Sequence, residues 1–113
     1  MRVRHPGEVV PMPVLNVVNK SPFEKSSLDS CVRTLGSGGA LILIEDGVYA
    51  AVKGGHFESL IDTALRSGPV YALDSDLVMR GIDSTRIAAD VQRVDYAGFV
   101  DLCVHYEKVH SWL

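Results

Sequence analysis

Cysteine is scarce in this chain: Cys31 and Cys103 are the two thiols among 113 residues. A secreted domain of this size is usually stapled by several disulfides, so two isolated cysteines point to a reducing compartment and a cytoplasmic location. Long apolar runs are missing as well. None approaches the ~20 residues that a membrane-spanning helix needs. The opening MRVRHPGEVVPM is basic but has no apolar stretch of signal-peptide length, so export is not expected. Lys and Arg total 11 against 14 acidic residues, a formal charge of -3 with no basic cluster. The electrostatic footprint of a nucleic-acid binder is absent, and no direct nucleic-acid contact is expected of the chain. Internal repeats and low-complexity segments are also lacking.

What is present suits a single α/β domain. A chain of this length buries roughly two-thirds of its unfolded surface, enough for one core without metals or disulfides. Residues 1–13 carry Pro6, Pro11 and Pro13, show no periodicity, and read as a flexible N-terminal extension. The domain then spans 14–113. Its first strand is Val14 to Val18, closed by the turn-forming Asn19-Lys20-Ser21-Pro22. A helix follows, with Ser26 and Asp29 spaced as a capping box and Leu28, Cys31, Val32 and Leu35 on one apolar stripe. Glycines 36, 38 and 39 end it.

Ala40 to Ile44 is apolar at every position, the mark of a strand covered on both faces and typical of parallel sheets. Helical stretches are expected over Val48 to Val52 and over Phe57 to Leu65, the latter with Leu60, Ile61, Ala64 and Leu65 facing inward. Pro69 to Leu73 is the third strand, and Asp74 to Arg80 a short helix closed by Gly81. A fourth strand lies around Val91 to Val94. The last helix begins near Asp95 and carries Phe99, Leu102, Cys103 and Tyr106 at helical spacing. Strands alternating with helices mean βαβ units: one doubly wound, mostly parallel sheet with helices on both faces.

Most candidate chemistry fails on position. The cluster Gly36-Ser37-Gly38-Gly39 follows a helix and precedes a strand, the reverse of a phosphate-binding loop. The carboxyl ends of the strands, where open parallel sheets bind ligands, carry Glu45, Asp46, Asp74 and Asp95. An anionic cofactor would be repelled there, and these aspartates read as helix and turn caps. Cys103, His105 and His110 lack the ligand pairs of zinc sites, so neither metal nor cofactor is expected. Cys31 is the one candidate catalytic residue. Its place on an apolar stripe favours a buried, inert thiol, and it lies too far into the helix to gain much from the dipole. Asp29 would oppose a thiolate, whereas Arg33 would support one by folding back.

The segment Asn19-Lys20-Ser21-Pro22-Phe23-Glu24 after a short first strand resembles the opening of DsrH/TusB proteins. The likeness continues through Glu45-Asp46-Gly47-Val48-Tyr49-Ala50-Ala51, Val70-Tyr71-Ala72-Leu73, Arg80-Gly81, Val94-Asp95-Tyr96-Ala97-Gly98-Phe99-Val100 and Trp112-Leu113. It covers nearly everything from Met12 onward. The resemblance implies a parallel α/β fold and a subunit of a cytoplasmic sulfur relay. It further implies a heterohexamer with DsrE/TusD-like and DsrF/TusC-like subunits, and a downstream TusE/DsrC-like acceptor. Sulfur would pass as a persulfide from thiol to thiol. The DsrH branch serves dissimilatory sulfur oxidation and the TusB branch 2-thiolation of the tRNA wobble uridine. Cys31 matches the Leu-x-x-Cys setting of DsrH-type subunits, which favours the DsrH branch and makes Cys31 the candidate sulfur carrier. The family's principal carrier cysteine sits on the DsrE/TusD-type subunit, so the alternative is a non-catalytic scaffold. Tyr49, Tyr96, Phe99 and Trp112 are candidate interface aromatics, with Phe99 better read as core.

Overall fold

The computed structural model describes residues 14–35 and 38–112. The expected N-terminal extension, the Gly36-Ser37 part of the first helix exit and Leu113 lie outside the described residues. Five strands form one sheet in the order β4-β3-β2-β1-β5, every neighbouring pair parallel. In chain order these are β1 (Val14–Val18), α1 (Ser27–Thr34), β2 (Ala40–Leu43), α2 (Glu58–Ser67), β3 (Val70–Leu73), α3 (Asp74–Met79), β4 (Gln92–Val94), α4 (Tyr96–His105) and β5 (Lys108–Trp112). Short 3-10 turns at Glu45–Ala51 and Ser84–Arg86 link β2 to α2 and α3 to β4.

Each strand has a reason to lie where it does. All four β2 residues are fully buried, and β2 sits in the middle of the sheet between β1 and β3. Leu41 and Leu43 belong to the larger core, under α1, α2, α3 and the 3-10 turn, together with Val18, Leu28, Cys31, Ile61 and Leu77. Ile42 and Ala40 face the other way with Leu15 and Val17, covered by Phe99, Leu102, Cys103 and Tyr106 of α4. Three helices on one face and one on the other satisfy the demand of a parallel sheet for two covered faces.

The fifth strand replaces what the sequence reading left as the chain's tail. Lys108 to Trp112 pairs residue for residue with Val14 to Val18. Trp112 is thereby drawn onto the chain's own core, where its indole Nε1–H donates to Asn16 Oδ1 at 3.0 Å. Asn16 Nδ2 in turn donates to the Ala40 carbonyl at 3.2 Å. A buried amide thus ties three adjacent strands together with both ends of its side chain satisfied. Trp112, one of the candidate interface aromatics, is partly buried and packs against this core.

Close approach dictates Gly47. A Cβ there would stand 2.3 Å from the Val18 carbonyl oxygen, so no other residue fits without moving β1. Gly81, at φ 66°, adopts the left-handed backbone that ends α3.

Candidate functional site

Cys31 stands on the second turn of α1, on the side pressed against the sheet. Its relative exposure is 0%, and its neighbours in the core include Leu28, Val32, Leu41 and Leu43. Burial without a compensating charge pushes the thiol pKa up to about 12. At neutral pH the side chain is a thiol, with a thiolate fraction on the order of 10⁻⁵. Arg33, the one nearby cation considered for its activation, turns away instead. It is 76% exposed and pairs with Asp29 at 3.0 Å, the i, i+4 geometry of a surface helix pair. That pairing also occupies the carboxylate read as half of a capping box. Ser26 holds the N-cap position but makes no side-chain cap bond.

Cys103, on α4, is half-buried against the opposite face of the sheet, and burial raises its pKa as well. The two thiols sit in separate core clusters on opposite faces of the sheet, so the fold does not bring them together. Among the described residues no group of three or more His, Cys, Asp and Glu side chains could hold a metal ion.

The carboxyl edge of the sheet is acidic in sequence but paired in space. Arg80 donates from Nε to Asp46 Oδ1 at 2.9 Å, and its Nη1 reaches the Asp76 carbonyl at 3.2 Å and carboxylate at 3.4 Å. Arg93 binds the Asp74 carboxylate through Nε at 2.7 Å and also through Nη2. Asp76 accepts the Glu45 backbone N–H at 2.7 Å, holding Glu45 at φ 49°, an uncommon conformation for a residue with a side chain. Asp95 caps α4, accepting from the Gly98 N–H at 2.7 Å. The capping role expected of these aspartates thus holds for Asp95, while Asp46 and Asp74 are ion-pair partners. Residue types alone did not show this, because Arg80 and Arg93 lie 34 and 19 positions away from the acids they meet.

A cleft of about 500 Å³ opens between the starts of α1 and α2, lined among others by Phe23, Lys25, Leu28, His56, Phe57 and Leu60. Phe23, in the turn that follows β1, stays 69% exposed with its ring edge-on to Phe57 at 5.0 Å. Cys31 does not line this cleft. The sequence reading named Phe23 only as part of the Asn19-Lys20-Ser21-Pro22-Phe23-Glu24 turn and gave it no role of its own.

Comparison with known proteins agrees with this architecture. Residues 20–109 match the family model described as DsrH like protein. Protein TusB of Escherichia coli O81 (strain ED1a) is 36% identical over 100 residues, 88% of this chain and 100% of the relative. Protein TusB of Pectobacterium carotovorum subsp. carotovorum (strain PC1) matches to the same extent. Among solved structures, the ychN protein from E. coli superposes with a TM-score of 0.78 at 17% identity, covering 89% of this chain and 99% of that one. A protein of unknown function from Methanobacterium thermoautotrophicum gives a TM-score of 0.68 at 14% identity over 88% of this chain and 97% of its own. The two structural neighbours establish the fold. The near-complete match to the family model, together with full-length relatives above a third identity, establishes the rest: this chain belongs to the DsrH/TusB family of sulfur-relay subunits.

Proposed function

We propose that the chain is a scaffold subunit of a persulfide-relay complex and that the sulfur itself travels on a cysteine of a partner subunit. The observation that carries this reading is the complete burial of Cys31 with its pKa near 12. Persulfide transfer proceeds by attack of a thiolate on sulfur, and a thiol that is neither ionised nor reachable serves neither as attacker nor as acceptor. The partners are DsrE/TusD-like and DsrF/TusC-like subunits in a heterohexamer. The curated relatives named Protein TusB favour tRNA wobble-uridine thiolation as the process served. Dissimilatory sulfur oxidation, the process first expected, rests on the likeness of the Leu28-x-x-Cys31 setting to DsrH-type subunits.

The carrier reading of Cys31 has one observation in its favour, the Leu28-x-x-Cys31 setting on α1 that resembles DsrH-type subunits. It requires α1 to lift from the sheet when a partner docks. Reconstitution of the complex with Cys31→Ala in this chain separates the two readings. The scaffold reading expects sulfur transfer to the acceptor protein to continue at the wild-type rate. Loss of transfer from a complex that still assembles would establish Cys31 as a carrier.

A further inference from the structure

The two edges of the sheet are unlike. At one edge β4 has three residues, and its Arg93 is pinned to Asp74. Short length and charge are the usual means by which an edge strand avoids pairing with another chain. At the other edge β5 has five residues in unbroken register with β1, with neither proline nor bulge. Its outer side has no neighbouring strand among the described residues. The strand is held firmly from behind, because Trp112 is anchored to Asn16 and to the core. Its other side chains stand in solvent, including Val109 at 44% exposure. A regular five-residue edge of this kind, with Lys108 as its single charged guard at one end, is a template for another strand.

We propose that this edge pairs antiparallel with β5 of a second copy of the chain, about a two-fold axis through His110. The strand is self-complementary in that arrangement. Lys108 of one copy lies opposite Trp112 of the other, and Val109 opposite Ser111. Lys108, His110 and Trp112 share one face of the sheet, being in register with Val14, Asn16 and Val18. The ammonium of Lys108 therefore meets an indole already stacked on His110 at 4.7 Å, a cation–π geometry at both ends of the strand pair. Charge selects the antiparallel sense. Lys108 is the only formally charged residue of β5, and the two copies sit at opposite ends of the pair, whereas a parallel arrangement in register would set them side by side. The pairing continues the sheet to ten strands and is independent of the relay reading.

The test uses the full chain. In light scattering across micromolar to submillimolar concentrations it runs as a monomer–dimer equilibrium, and Val109→Lys weakens the dimer by at least about tenfold with an unchanged circular dichroism spectrum. In a Cys103→Ser background under mild oxidation, His110→Cys cross-links to itself across the axis, since directly opposed residues lie within disulfide reach. Val104→Cys, on the exposed side of α4, serves as the control and cross-links far more slowly. A chain that stays monomeric throughout overturns the proposal, as it would if residues 1–13 or a related subunit covered the edge instead. Cross-linking of His110→Cys no faster than Val104→Cys also overturns it. Neither result bears on whether the chain supports sulfur transfer.

Discussion

Cys31, the thiol on which sulfur was expected to ride, is fully buried in the core beneath α1. The thiol keeps its proton longer in the folded chain than in the unfolded one, because only the folded chain desolvates it. The sign follows: the stability it contributes is fully present below pH 9, the unfolded value, and is lost as pH climbs toward about 12, the folded one. Urea titrations of the native chain and of Cys31→Ala should diverge only above pH 9. By pH ~10 the native chain should lose about 1 kcal/mol more than the variant does. Parallel curves from pH 8 to 11 would mean that the thiol is solvated. Gly47 yields a second expectation at this scale. Its Cβ position overlaps the Val18 carbonyl at 2.3 Å, so Gly47→Ala must displace the end of β1. A loss of roughly 1–3 kcal/mol, the usual range for overpacking, is expected in thermal or urea unfolding. An unaffected variant would show that the 3-10 turn slides freely against β1.

Neither α4 nor β5 contains a fully buried residue, and each is fixed by an identifiable side-chain hydrogen bond. Asp95→Ala removes the side-chain cap on Gly98 N–H and should cost about 0.5–2 kcal/mol, measurable as a lower urea midpoint with unchanged slope. Trp112→Phe keeps most of the packing and deletes the bond to Asn16, leaving a buried amide oxygen without its donor. That should cost about 1–3 kcal/mol, and amide exchange should quicken first along β5. The helices and the first four strands were legible in the sequence because their apolar periods are clear and glycine or proline marks most of their ends. Strand β5 was not. Lys-Val-His-Ser-Trp has little apolar pattern because it is an edge strand with mostly exposed side chains, and no breaker separates it from α4. The Ser26/Asp29 capping box failed for a different reason: Asp29 had a better partner one turn ahead in Arg33.

For the molecule as a whole, the all-apolar Ala40 to Leu43 segment and the strand–helix alternation sufficed for a parallel sheet covered on both faces, and the five strands bear that out. The site was less legible. Sequence spacing placed Cys31 on the inward stripe of α1 but said nothing of Arg80 and Arg93, which reach across the carboxyl edge to neutralise its aspartates. Long-range ion pairs leave no local pattern to read. The same arginines latch that edge through their pairs with Asp46, Asp76 and Asp74. The central claim, that this chain supports a relay without carrying its sulfur, is tested most directly by mass spectrometry of the assembled complex after exposure to a persulfide donor. The account predicts a mass gain of one sulfur on a partner's cysteine and none on the peptide that contains Cys31. Transient sulfur on Cys31, discharged when the acceptor protein is added, would contradict it.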